Sequence, residues 1–184
     1  MDIIRTKQMF GSQNTVYDML ANQINIQMHN AIPCIVQKYD AEQNTVDCKP
    51  AIRERMAGAD GQVSYVEFPL LINVPVVFPS TANSHIIFPI EKNDECLVIF
   101  SDLSIDNFWL KGSVQNPIEN RRHDLSDGIA IPCNLSLPKK VPNGNYLEVQ
   151  YRNTKIQMNG SEITFSLPGK TFTGTEIYSA IHSG

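Results

Sequence analysis

Charge is scarce in this 184-residue chain: Asp, Glu, Lys and Arg make up 18% of it, and 15 basic against 19 acidic side chains leave a formal charge of −4. Neutralisation of phosphates by Lys and Arg supplies most non-specific affinity for nucleic acid, so a general DNA or RNA binder is disfavoured and no nucleic-acid partner is expected. Long apolar runs are lacking too. The longest, Leu70 to Phe78 and Cys96 to Phe100, are broken by Asn73 and Pro75 or bounded by charge, and fall far below the roughly 18 residues of a membrane-crossing helix. The opening Met1-Asp2-Ile3-Ile4-Arg5-Thr6-Lys7-Gln8-Met9-Phe10 has no apolar segment behind a basic one, so no secretory signal is read and synthesis in a cytoplasm is expected.

Chemistry-bearing motifs are equally sparse. Cys34, Cys48, Cys96 and Cys133 lie far apart without C-x-x-C spacing, which speaks against zinc and thioredoxin-like sites; three of them sit in strand-like or apolar patterns and read as buried free thiols. His29, His85, His123 and His182 form neither H-x-x-x-H nor H-E-x-x-H, so no metal site is expected within one chain. There is no G-x-S-x-G elbow, since Ser113 in Lys111-Gly112-Ser113-Val114 lacks the second glycine, and no phosphate- or dinucleotide-binding glycine loop. No catalytic residue and no cofactor is expected. Asp102 with Asp106, or Asp124 with Asp127, could imitate the carboxylate pair of a glycosidase, but such short Asp-Ser-Asp spacings belong more often to turns in which Asp and Ser bond nearby backbone N–H groups.

What is present is a 42% apolar content, enough for one core plus an appendage. Val16, Met19, Leu20, Ile24 and Met28 recur at spacings of three and four, predicting one amphipathic helix between Ser12 and Met28, capped by Ser12 or Asn14 and ended before Pro33. It packs on its own chain or inserts its apolar face into a partner; the first reading is preferred. From Cys34 the pattern turns to period two. Cys34 to Tyr39 and Thr45 to Cys48 flank the polar turn Asp40-Ala41-Glu42-Gln43-Asn44 as a hairpin. The second strand is expected to continue through Ala51 to Met56, turn at Gly58-Ala59-Asp60-Gly61 and return through Gln62 to Phe68; further strands are expected at Leu70 to Phe78, Ser84 to Ile90 and Glu95 to Ser101. This many short strands in so little chain predicts a small Greek-key barrel of the OB type, closed so that no edge stays unpaired.

Pro132, Pro138 and Pro142 mark a joint, because fixed φ and a missing N–H oppose helix and central strand alike. The expected organisation of this mainly β chain is an N-terminal arm and helix over 1–30, the barrel over 31–132, a linker over 133–142 and a C-terminal β-structure over 143–184. In the last segment Leu147, Val149, Tyr151, Ile156, Met158, Ile163, Phe165 and Leu167 alternate onto one apolar face between turns at Arg152-Asn153, Asn159-Gly160 and Pro168-Gly169. Some 40 residues of narrow sheet cannot cover such a face, and no cysteine staples it. Either the tail folds back on the barrel, or identical tails from several chains bury their faces around a common axis and pair their edges as a regular β-prism, the preferred reading, with those eight residues as its core. Arg121-Arg122-His123-Asp124 is the densest positive spot: a loop held by Arg–carboxylate pairs with Asp124 or Asp127, or a docking contact for an acidic partner.

Several stretches resemble a known family. They are Val74-Pro75-Val76-Val77-Phe78-Pro79, Phe88-Pro89-Ile90, Asp94-Glu95-Cys96-Leu97-Val98-Ile99-Phe100-Ser101-Asp102, Asp106-x-x-Trp109 and Arg121-Arg122-His123-Asp124-Leu125-Ser126-Asp127-Gly128-x-Ala130-Ile131-Pro132, together with the hairpin from Ile32-Pro33 to Pro50-Ala51-Ile52. The resemblance, over about Ala31 to Pro132, is to the OB domain of the central membrane-piercing spikes of contractile-tailed bacteriophages. It implies a non-enzymatic homotrimer in the virion's tail baseplate, seated on tail hub proteins, with Arg121 and Arg122 as candidate hub contacts and a C-terminal shaft, a trimeric intertwined β-prism or β-helix, that transiently meets the host outer membrane. Related spikes carry a His-x-His metal site near the tip; here only His182 remains, and three imidazoles in a trimer are too few for that site, so metal binding by His182 is not expected and a separate tip protein stays open as the alternative. Two rival readings stay open: an OB module that grips oligosaccharide or single-stranded nucleic acid with Tyr39 and Tyr65, against which Asp47, Glu54 and Glu67 on the same strands argue, and a cell-wall hydrolase using Asp102 or Asp124.

Overall fold

A computed structural model describes residues 17, 20, 21, 28–57, 61–142 and 144–183. The helix predicted from Ser12 to Met28, with its caps, lies outside the described residues except for Tyr17, Leu20 and Ala21, which are helical, and Met28, which is not. The chain divides into two compact units, residues 1–140 and 141–184.

The first unit is built on a hairpin of β1 (Ala31–Asp40) and β2 (Thr45–Pro50). Asp40 makes the turn: its Oδ1 accepts the backbone N–H groups of Glu42 at 3.0 Å and Gln43 at 3.1 Å, and Asn44 takes the left-handed conformation at φ 55°, which Asn tolerates better than most residues. A register shift between Val36 and Lys38 bulges β1 and increases its twist. With β5 (Leu71–Pro75), β6 (Glu95–Phe100) and β7 (Gly128–Pro132), the hairpin forms one antiparallel sheet in the order β5-β2-β1-β6-β7. The sheet curls into a half-barrel whose outer strands meet at a single parallel bridge between Val76 and Ala130, where the Val77 N–H donates to the Ala130 carbonyl at 2.9 Å.

Period-two alternation fills the concave side. Cys34, Val36, Val46, Cys48, Leu71, Val74, Val76, Phe78, Cys96, Val98, Phe100 and Ala130 form the core. The cysteines are all free: Cys34, Cys48 and Cys96 are buried there, and Cys133 is partly exposed. The Cys48 thiol is pushed up to about 12, chiefly by the neighbouring Cys34 thiol, and Cys96 is raised by Cys48 and by burial, so both stay protonated.

Two expectations for this unit need correction, and two elements were not foreseen. The strand from Thr45 stops at Pro50; Glu54–Ala57 (β3) pairs instead with Val63–Val66 (β4) as a separate two-stranded sheet. Residues Ser84 to Ile90 form no strand, only one bridge between Ser80 and His85. The outer strand is β7, unrecognised in the sequence, and between β6 and β7 lies a short helix, α1 (Asp106–Lys111), with none of its residues buried.

The second unit is an antiparallel meander of β8 (Leu147–Tyr151), β9 (Thr154–Met158), β10 (Ile163–Leu167) and β11 (Lys170–Thr173), followed by helix α2 (Gly174–His182). The first three strands fall where alternation puts them; β11 and α2 were not foreseen. The sheet is open, with β8 and β11 as its edges.

Candidate assembly site

Pairing in the second unit aligns its residues in level rungs. Val149 lies opposite Ile156, Ile156 opposite Phe165 and Phe165 opposite Phe172; Leu147 lies opposite Met158 and Met158 opposite Ile163. Directly opposed residues share a face, so Leu147, Val149, Tyr151, Ile156, Met158, Ile163, Phe165 and Leu167 all lie on one side of the sheet, joined by Phe172 from the unforeseen strand. This side is not covered: Leu147 is 62% exposed, Val149 63%, Tyr151 53% and Leu167 50%. No described residue of the unit is fully buried. The reverse side is polar, with Glu148 accepting a hydrogen bond from the Gln157 amide and an ion pair from Lys155 at 3.5 Å.

Helix α2 is fixed to this sheet by its first turn. Thr173 Oγ1 accepts the Glu176 N–H at 3.1 Å while Glu176 Oε2 accepts the Thr173 N–H at 2.8 Å, a reciprocal cap, and Glu162 accepts both the N–H and the hydroxyl of Thr175. Those bonds hold the Glu162 carboxyl below its ordinary value, the Thr175 N–H contributing most. Beyond the cap the helix exposes Tyr178 and Ile181, and a cavity of about 610 Å³ lies between Tyr178 and the sheet residues Met158 and Ile163. His182 stacks on Tyr178 with ring centroids 4.1 Å apart, its Nδ1 2.9 Å from the Tyr178 carbonyl oxygen. Among the described residues no group of three or more His, Cys, Asp or Glu side chains is placed to hold a metal ion.

In the first unit the two arginines have different surroundings. Arg121 Nε donates to Asp127 Oδ2 at 2.7 Å and its Nη2 to Asp127 Oδ1 at 3.1 Å, to Ser104 at 3.2 Å and to Asp106; Glu119 lies 3.4 Å from Nη1. Asp127 is fully buried and also accepts the Ile105 N–H at 3.0 Å, so this cluster ties the loop before α1 to the turn before β7. Asp127 first, then Asp106, raises the affinity of the Arg121 guanidinium for its proton. Arg122 is 62% exposed and pairs with Asp102, which also meets His123 Nε2 at 3.2 Å. Asp124 caps the turn by accepting the Ser126 hydroxyl and N–H, which depress its pKa in that order. The four aspartates singled out in the sequence therefore all serve as partners to arginine, histidine or backbone.

Tyr39 and Tyr65 lie in different sheets. Tyr39 donates its hydroxyl to Asn44 at 3.0 Å and packs against the core, whereas Tyr65 lies on the separate β3–β4 hairpin. Beside it Glu67 pairs with Lys49 at 2.7 Å and Arg53 at 3.0 Å, which hold its carboxyl below the ordinary range.

A curled β half-barrel followed in the chain by a separate four-stranded sheet with an exposed apolar face defines a mainly β protein of two compact units. Residues 32–133 match the family model described as phage protein Gp138 N-terminal domain, just over half of the chain, and the protein belongs to that family. It is a phage-related protein; the match ends before the second unit begins. No curated protein matches the chain.

Proposed function

We propose that the protein is the central spike of a contractile tail, a non-enzymatic homotrimer that caps the tail hub in the baseplate and pierces the host envelope on contraction. The observation that carries this reading is the second unit: nine apolar residues on one sheet face, none fully buried, in a member of a phage family. Burying apolar surface is the dominant favourable contribution to folding, so a unit with no interior of its own gains one by assembling with copies of itself.

The first unit suits a hub cap. Its strand order, with a parallel bridge closing β5 against β7, supports an OB-type barrel, and the Arg121–Asp127–Asp106 cluster stiffens the surface on which Arg122 is exposed. Arg122 is the better hub contact of the two, because the Arg121 donors already face carboxylates of their own chain. The shaft's mechanism is stiffness: strands paired along a rod with apolar side chains packed inside transmit axial force without unfolding, and no reacting group is required. The tip is assigned to a separate protein.

Whole particles decide the matter. Imaging with a label on the second unit is expected to place three copies on the tail axis beneath the tube; label on fibres or on the baseplate rim overturns the reading.

A further inference from the structure

We propose that the two open edges of the C-terminal sheet pair between copies, β11 of one protomer running antiparallel beside β8 of the next, at the level where Phe172 faces Val149. This deepens the three-copy reading above and rests on it. Strand count sets the direction. With four alternating strands, β8 and β11 run oppositely, so a β8 added beside β11 by rotation about an axis parallel to the strands continues the antiparallel alternation without a break. An odd number of strands would have forced a parallel seam.

The rungs set the level. Val149, Ile156, Phe165 and Phe172 lie at one height across all four strands, and Tyr151, Thr154, Leu167 and Lys170 mark one end of the sheet together. Strand ends that coincide in this way suit straight walls, whereas closure of a single round barrel needs strands that climb in stagger around it. The dimensions set the number of copies. Four strands about 4.8 Å apart make a wall roughly 19 Å wide, and three such walls joined as a triangle stand about 5.5 Å from the axis, close to half the ~10 Å that facing sheets keep. Four walls would stand roughly 9.5 Å from the axis and leave a hollow no side chain here could fill.

The surface is large enough for a stable contact. Nine side chains, most between a third and two thirds exposed, amount to roughly 700–800 Å² per copy, near the share each partner contributes to an interface of standard size. The contact is head to tail and closes on itself after three steps, which leaves neither edge open to recruit further chains.

On the polar side of the sheet, the same level places Gln150 opposite Thr171 of the neighbouring copy. The test is the full-length double variant Gln150→Cys with Thr171→Cys, treated with a short bis-maleimide and run on a denaturing gel, beside each single variant and the unaltered chain. Covalent species up to a trimer, from the double variant only, are expected. Sedimentation of the untreated protein separates the two levels of the argument. A trimer in solution with no cross-linking of the double variant overturns the edge pairing alone; cross-linking that stops at dimers also overturns it. A monomer at micromolar concentration overturns the three-copy reading beneath it.

Discussion

At the scale of single residues, neighbours in sequence carry very different weight. Asp127 is fully buried and satisfies Arg121 and the Ile105 N–H, whereas Asp102 and Arg122 face each other across solvent, 64% and 62% exposed. Removing one member of a buried pair strands the other, while an exposed pair loses little that water does not replace. Asp127→Ala is therefore expected to lower unfolding stability by about 3 kcal/mol and Arg122→Ala by less than about 0.5 kcal/mol, read from urea midpoints. Glu95 adds a dependence on pH. Its buried carboxylate accepts the Ser136 hydroxyl and the N–H groups of Ser136 and Leu135, which hold its pKa below the usual 4.5, the hydroxyl contributing most. A depressed folded-state pKa gives stability that is present above the unfolded value and lost as pH falls through the folded one. Glu95→Gln should thus be less stable than the natural chain at neutral pH, and the gap should close on acidification below about pH 4.5. A gap that stays constant down to pH 2 would show that the carboxylate's charge is not what holds residues 135 and 136.

At the scale of elements, strands with long period-two patterns were legible and those made by their partners were not. Cys34, Val36, Val46 and Cys48 announce β1 and β2 because alternate residues in the middle of each strand are buried in the core. Residues Gly128 to Pro132 offer only Ile129, Ala130 and Ile131 between two breakers, and become β7 through pairing with Val98 and its neighbours in β6, a contact no local pattern reports. The converse failure is Ile86-Ile87-Phe88, apolar enough to suggest a strand but joined to no sheet. Helix α2 did carry a local signal, Thr173-Gly174-Thr175-Glu176, whose Ser/Thr-x-x-Glu spacing is that of a reciprocal cap. The tight approach of β7 to β6 is testable at Gly128. A Cβ there would lie 2.8 Å from Val98 Cγ1, and Val98 is fully buried with a stiff branched side chain. Gly128→Ala is expected to cost about 1–3 kcal/mol, measured by thermal or urea unfolding, with no change in the state of assembly.

At the scale of the whole molecule, the two units differ in where their stability comes from. Among the described residues, the first encloses twelve core side chains and the second encloses none. This difference was partly legible: the eight alternating residues pointed to one common face, but the ninth, Phe172, and the even strand count of the sheet emerged only with β11. If the shared face is the inside of a three-copy shaft, a charge placed on it is repeated three times in a dry axis, where an ionised carboxylate without a partner is strongly disfavoured. Phe165→Asp should then reduce the mass seen by light scattering from three chains to one and open the second unit to trypsin at Arg152, Lys155 and Lys170, while the half-barrel keeps its resistance. Ser166→Asp, one residue along and on the polar side opposite Lys155, should leave both mass and proteolysis unchanged. Loss of assembly in both variants would point to a requirement for the strand as such rather than for its apolar side, and an unaltered trimer in Phe165→Asp would place the shared interior elsewhere.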